Sequence, residues 1–399
     1  MIPVAEARAR ILAAFGPFGA ETVALAGAHG RTLAVDVRAK LTQPPLPVSA
    51  MDGYAVRAAD VAKAGAKLAV IGMAPAGHMF AGTVGPGQCI RIFTGAVVPP
   101  GADTILIQEN ADASVDGSNI VARQAEPLGR YVRPAGLDFK EGDLAIPAGT
   151  TLDARHVGLA AATNHAWLEV RRRPRVAILS TGDEIVLPGT TPAPGQIVSS
   201  NGPALAAFVA AAGGDPVLLP IAPDNEQALQ AIAAGARGCD LLVTTGGASV
   251  GDHDLVRSAL GAAGLKLDFW QIAMRPGKPL MFGRFGDVPL IGLPGNPVSS
   301  LVCAVLFVGP AIAAMLGKPQ TGPLVEKAAL GRDLEANDRR EEYMRATLAR
   351  GADGTLQVTP FTKQDSSMIS LLARADALAI RPADAPAAKA GDSIDIIRL

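Results

Sequence analysis

Near the start of the chain apolar residues recur at Val4, Ala7, Ile11, Leu12 and Phe15, with Glu6, Arg8 and Arg10 between them. That is the spacing of one helical face, so an amphipathic helix is predicted within 1–20 rather than the unbroken apolar core of a secretory leader. The stiff run Gln43-Pro44-Pro45-Leu46-Pro47 marks a boundary. From 48 to 140 the pattern changes to short apolar runs at 68–71, 89–93, 104–108 and 119–122, punctuated by Gly, Pro and Asp, which predicts a small β-rich unit. A helix is predicted at 154–163, and segment 141–172 is expected to rejoin the first segment, making the β-rich unit an insertion.

Beyond Arg175 strand and helix patterns alternate. Strands are predicted at 176–179, 217–221, 241–243, 265–273 and 288–291, and helices at 203–212, 225–234 and 297–315. Alternation of this kind implies right-handed crossovers and a parallel sheet. After Pro319 the runs at 343–348, 356–361, 377–380 and 393–397 are short and β-like, which predicts a compact β-domain. The expected division is therefore 1–46 with 141–172, then 47–140, 173–319 and 320–399.

Composition sharpens this picture. The 399 residues include 44 glycines and 31 prolines, with 49% hydrophobic, 18% charged and 4% aromatic residues. Disorder is excluded as a global description, and the surplus Gly and Pro belong in turns between short elements. Thirty-six Lys and Arg against 37 Asp and Glu leave a net charge of -1, without the broad basic field that nucleic-acid binding requires. The basic run 171–175 reads as a solvated linker. Cys89, Cys239 and Cys303 form no CxxC pair, so a reducing cytoplasm is expected. The longest apolar run, 301–316, is interrupted by Gly309-Pro310 and falls short of the ~20 residues of a membrane span, so no membrane association is expected. The five histidines show no zinc-binding spacing, and no GxSxG motif is present.

In a parallel sheet ligands bind at the edge where the strands' C-terminal ends lie. Three loops are predicted to leave that edge: Ser180-Thr181-Gly182-Asp183-Glu184, TTGGASVGDHD at 244–254, and Gly292-Leu293-Pro294-Gly295-Asn296-Pro297. Paired glycines and a hydroxyl after a strand let backbone N–H groups approach a phosphate, while Asp252 and Asp254 would repel it unless Mg²⁺ lies between. The alternative is a tight turn with Ser249 and Asp252 as a helix-capping box, and Thr181 with Glu184 has the same capping spacing. Asp52-Gly53 likewise reads as a hairpin turn. Arg275-Pro276-Gly277-Lys278-Pro279 offers two cations in a loop restricted by proline, suited to an anion or simply to solvent.

Taken together, SAMDGYAV (49–56), IFTGAVVPPGADTIL (92–106), STGDEI (180–185), SNGPAL (200–205), TTGGASVGDHD (244–254), RPGKPL (275–280), GLPGNPVS (292–299) and REEYMRA (340–346) resemble the MoeA family of molybdopterin molybdenumtransferases, relatives of the gephyrin E-domain. The resemblance implies an elongated homodimer of α/β plus β class: a linker domain, an inserted β-rich domain, a parallel-sheet α/β molybdopterin-binding domain and a C-terminal β-barrel. It also implies an activity, the Mg²⁺-dependent insertion of molybdate into adenylyl-molybdopterin with release of AMP. Carried over by position, Asp52, Thr94, Glu184 and Asp224 are the implied catalytic residues, with Asp52, Glu184 and Asp224 available to Mg²⁺. The implied substrate-binding set is Gly246, Gly247, Ser249, Asp254, Pro294 and Pro297, with Arg133 and Asp138 from the inserted domain. Arg275, Lys278, Arg345 and Ser367 complete it as oxyanion ligands. A molybdopterin adenylyltransferase and molybdoenzyme maturation proteins are implied partners. Two alternatives share parts of this pattern: a gephyrin-like scaffold, which would carry a further adenylyl-transferring domain, and a molybdopterin adenylyltransferase, which would need only the α/β domain.

Overall fold

The computed structural model describes residues 1–246, 255–262, 264–319, 321–351 and 353–399. Its centre is a six-stranded mixed sheet. The strands Asp215–Leu218, Arg175–Ser180, Leu241–Thr245 and Val288–Leu293 lie side by side in that order and all parallel. Met281–Phe285 and Leu265–Phe269 continue the sheet antiparallel. The strand Met281–Phe285, absent from the predicted set, turns that edge of the sheet antiparallel.

Alternation along the strands explains how this sheet is covered. Val176, Ile178, Leu241, Val243, Ile291 and Leu293 face one core, and Ala177, Leu179, Leu242 and Leu290 face the other. The first core receives the helix Asn201–Ala212 and the long helical run 297–315; the second receives Glu226–Ala233 and Leu255–Ala262. The run 297–315 is helical throughout, passing Gly309-Pro310 by way of a π-helical turn, Ala304–Val308. A widened turn just before Pro310 accommodates a ring that would clash with a regular α-helix. Although long and apolar enough by composition to cross a membrane, this helix has 72% of its apolar window buried inside the protein.

The predicted N-terminal helix occupies Val4–Ala13. Its buried face, Val4, Ala7 and Ile11, packs into the α/β core rather than against the segment that follows it. Next, Ala20–Ala24 pairs antiparallel with Trp167–Arg171, and Val37–Arg38 with Leu144–Ile146. These pairings join the two ends of the chain that flank the β-rich insertion. The helix Ala154–Ala162 begins at a capping box, in which Asp153 accepts from the amides of Arg155 and His156.

The insertion forms its own six-stranded sheet, ordered Thr104–Ile107, Gly53–Val56, Gln88–Ile92, Lys67–Ala74, Asn119–Ala122, Ala111–Ala113. At the C-terminus, Glu341–Arg350, Leu356–Pro360, Val325–Leu330, Ser393–Arg398 and Ala377–Arg381 pair in sequence, and the last pairs with the first, closing a five-stranded barrel. Met274–Arg275 joins Glu341 and Glu342 in parallel and ties the barrel to the α/β unit.

Because Ile11 is fully buried in the α/β core, Ile11→Ala should cost about 2–5 kcal/mol and lower the first thermal transition of the protein. Differential scanning calorimetry checks this; an unchanged transition would place the helix outside that core.

Candidate functional site

Parallel pairing carries the loops after Ser180, Leu218, Thr245 and Leu293 off one edge of the sheet. A cavity of about 690 Å³ opens there, a volume suited to a ligand of nucleotide size. Ser180, Thr181 and Glu184 line one side; Thr245 and Gly246 the floor; Pro294, Gly295, Asn296 and Pro297 another side. Ile197 and Val198, both solvent-exposed, add an apolar wall, and Ser367 reaches in from the barrel.

Side-chain amides stitch these loops together. Asn201 Nδ2 donates to Thr245 Oγ1 at 2.8 Å and to the Gly295 carbonyl at 2.7 Å, while Thr245 Oγ1 lies 3.2 Å from the Pro294 carbonyl. Both hydrogens of one amide thus hold two loops against the start of helix Asn201–Ala212. Asn201 was missing from the candidate residues; the signal for it was its place in SNGPAL, just before an apolar helical run. Asn296 Nδ2 donates to Ser366 Oγ at 2.8 Å, and the Val298 amide to the Ser366 carbonyl at 3.1 Å, so the barrel loop closes over the same edge. Gly246 has φ +91°, and a Cβ there would stand 2.4 Å from the Thr181 carbonyl oxygen, which leaves glycine as the residue that fits.

The loop after Ser180 leads into the strand Ile185–Val186, which pairs with Ile197–Val198, so Thr181 and Glu184 cap no helix. The Glu184 carboxylate instead folds back over Gly182, where a Cβ would meet it within 2.8 Å. Asp183 accepts from the Asp224 amide at 2.9 Å, which brings the loop bearing Asp224 beside the one bearing Glu184. Gly247, Ser249 and Asp254, with the capping alternative at Ser249 and Asp252, lie outside the described residues.

The remaining candidates stand away from the cavity lining. Asp52 Oδ1 accepts from the Thr94 amide and from Thr94 Oγ1, each at 2.7 Å. Those two bonds, with a lesser contribution from the Arg91 charge, hold the Asp52 carboxyl below the usual carboxylate range and keep it ionised at neutral pH. Arg133 and Asp138 are exposed on the same inserted unit. Arg275 pairs with Glu342 at 2.8 Å and lies 3.6 Å from Asp338, so its charge is already engaged, while its Nε is buried without a partner. Lys278, partly buried, has no side-chain partner among the described residues. Arg345 is 1% exposed; Gln364 Oε1 and the Met368 carbonyl accept from it, and its Nη2 is left without a partner. Burial lowers its pKa. It holds the loop that carries Ser367. Among the described residues no three His, Cys, Asp or Glu side chains gather as a metal-binding group, so Asp52, Glu184 and Asp224 do not meet within one chain.

The chain thus joins a parallel-sheet domain with a ligand-sized edge cavity to an inserted β-sheet and a C-terminal barrel. Residues 177–314 match the family described as a probable molybdopterin binding domain; residues 2–163 and 327–399 match the MoeA N-terminal region (domain I and II) and the MoeA C-terminal region (domain IV). A molybdopterin molybdenumtransferase from Nostoc sp. is 37% identical over 389 residues, covering 95% of this chain and 88% of its own length. Molybdopterin molybdenumtransferase 2 of Mycobacterium tuberculosis is 36% identical over 385 residues, covering 94% of each chain. The crystal structure of the molybdopterin biosynthesis MoeA protein from Pyrococcus horikoshii OT3 superposes with a TM-score of 0.86 at 27% identity, over 100% of both chains. The chain belongs to the MoeA family, and it is a molybdopterin molybdenumtransferase of molybdenum cofactor biosynthesis.

Loss of both Asn201 hydrogen bonds should loosen the cavity. Asn201→Ala is expected to lower the stability of the α/β unit by about 1–3 kcal/mol in a denaturant titration, and a change below about 0.5 kcal/mol would show that the amide does not hold the loops.

Proposed function

We propose that this chain performs the Mg²⁺-dependent insertion of molybdate into adenylyl-molybdopterin with release of AMP. One observation carries the reading: the loops of the parallel strands converge on a single cavity whose only charged lining residue, among those described, is Glu184. A pyrophosphate needs positive charge there, and the described lining supplies none. Mg²⁺ typically binds through one or two carboxylates, substrate phosphates and water, rather than in an all-protein cage. Glu184 suits that role, with Asp224 on the adjoining loop. Charge compensation on the phosphoryl oxygens is what the ion supplies when bound.

The chain's own groups divide the remaining work. Gly246, with Gly247, Ser249 and Asp254, receives the pterin phosphate; Pro294 and Pro297 form a rigid wall beside it. Molybdate is assigned to Lys278 and Arg345 with Ser367 and Arg275; the Lys278 ammonium and Arg345 Nη2, both without a partner among the described residues, support this. In a homodimer, Asp52, Thr94, Arg133 and Asp138 would serve the cavity of the second copy. The ionised Asp52, held by Thr94 outside its own chain's cavity, favours that arrangement. Three free, buried and separate cysteines agree with a reducing, cytoplasmic setting, where an adenylyltransferase delivers substrate and molybdoenzyme maturation proteins take product.

The purified protein supplied with adenylyl-molybdopterin, Mg²⁺ and molybdate should release AMP and acquire pterin-bound molybdenum in equal amounts; no AMP release would falsify the reading. Glu184→Gln should slow AMP release on the order of 10²-fold without lowering the melting temperature, since the side chain is exposed and bonds no other described residue. Turnover at the wild-type rate would remove Glu184 from the chemistry.

A further inference from the structure

The helix Asn201–Ala212 begins at the cavity with no acidic residue in its first turn and no side-chain hydrogen bond from its N-cap, Ser200. Its leading amides therefore bring the positive end of the helix to the cavity uncompensated. Two hydroxyls gather over that end. A Cβ built on Gly202 would stand 3.3 Å from Ser180 Oγ and 3.7 Å from Ser199 Oγ, and both serines are buried residues lining the cavity.

Thr181 supplies an independent observation. It lines the same cavity, is 3% exposed, and its Oγ1 has no hydrogen-bond partner among the described residues. A Cβ on Gly246 would meet that oxygen at 3.0 Å, so the hydroxyl stands at the turn where the strand Leu241–Thr245 gives way to its loop. A buried hydroxyl left unbonded is costly. The Thr245 hydroxyl at the strand end is bonded to Asn201 and to the Pro294 carbonyl, whereas Thr244 Oγ1, one residue earlier and outside the cavity lining, is also unpartnered among the described residues; Thr181 Oγ1 is the unpartnered hydroxyl that belongs to a lining residue.

We infer that this corner is a seat for a phosphoryl oxygen, held by neutral donors: the amides of Asn201 and Gly202 at the helix start, where Pro203 offers none, the hydroxyls of Ser180 and Ser199, and Thr181 Oγ1. The charge pattern supports neutral donors, because no Lys or Arg lines the cavity among the described residues while Glu184 does. Converging N–H and O–H groups select an oxyanion by geometry and leave its charge to be offset by a divalent cation. The inference rests on the cavity being the substrate pocket. It adds a second phosphoryl position to the one at Gly246-Gly247, as a pyrophosphate-linked substrate requires.

Isothermal titration of the full-length protein with inorganic pyrophosphate in Mg²⁺ tests it. Wild type should bind, Thr181→Val should raise Kd about 10-fold, and Thr181→Ser should restore it, as expected for one hydrogen bond to a charged group. The melting temperature of Thr181→Val should equal or exceed that of wild type, because an unpartnered hydroxyl is removed; a structural hydroxyl would lower it. AMP titrated in parallel identifies the oxygen. An effect of Thr181→Val on AMP as well assigns the seat to the adenylyl phosphoryl group, and an effect on pyrophosphate alone reverses the two positions, with the pterin's phosphoryl group at the seat and the adenylyl one at Gly246-Gly247. Unchanged affinity in both Thr181→Val and Ser199→Ala overturns the seat. So does a wild-type protein that releases AMP from adenylyl-molybdopterin yet binds no pyrophosphate. If it neither binds pyrophosphate nor releases AMP, the substrate-pocket reading fails and the seat with it.

Discussion

Four parallel strands release their loops at a single edge of the α/β sheet, and the backbone groups freed there must find partners outside the ladder. The chain meets this with short polar side chains rather than further secondary structure. Asn201 spends both amide hydrogens on Thr245 Oγ1 and the Gly295 carbonyl, and Asp183 accepts the Asp224 amide. Each bond links loops far apart in sequence, so the edge is held open as a cavity instead of collapsing. Gly246 completes the arrangement, because the Thr181 carbonyl leaves no room there for a side chain.

The same edge couples the α/β unit to the barrel. Met274–Arg275 extends the barrel sheet beside Glu341 and Glu342, Arg275 pairs with Glu342, and Ser366 receives the Asn296 amide. Arg345 then holds the loop of Ser367 from within the barrel. One wall of the cavity therefore depends on a unit that contributes little of its lining. A fold confined to the α/β domain would keep the loops and lose that wall.

Most elements were legible because their periods were plain. The face of Val4, Ala7 and Ile11 announced a helix, but an amphipathic face specifies burial without naming what buries it, and its partner is the α/β core. Met281–Phe285 was hidden because its alternation includes Gly283, whose Cβ would stand 2.3 Å from the Lys266 carbonyl oxygen; a glycine required by a neighbouring strand weakens the strand signal in its own. Arg345 shows a different limit. The resemblance gives Arg345 as an oxyanion ligand, and only the folded barrel reveals that it is buried, with Gln364 and the Met368 carbonyl accepting from it. The loops bearing Glu184, Gly246 and Pro294 were legible as a site because parallel topology alone sends them to one edge. Asn201 was not, since its role lies in two hydrogen bonds that cross the fold.

On the proposed reading, the placement of charge in the described lining suits a reaction of two anionic substrates. A lysine or arginine fixed in the cavity beside Glu184 would pair with it in the free protein, and that pair would have to be broken and desolvated before either group met substrate. In the described lining Glu184 has no such competitor, Arg275 is already paired on the barrel side, and Lys278 stands outside the lining. Neutral donors at the helix start and hydroxyls along the strand ends carry no such penalty, because they have no charge to neutralise in the absence of ligand. On the proposed reading, such a cavity would attract phosphoryl groups when a cation arrives with them.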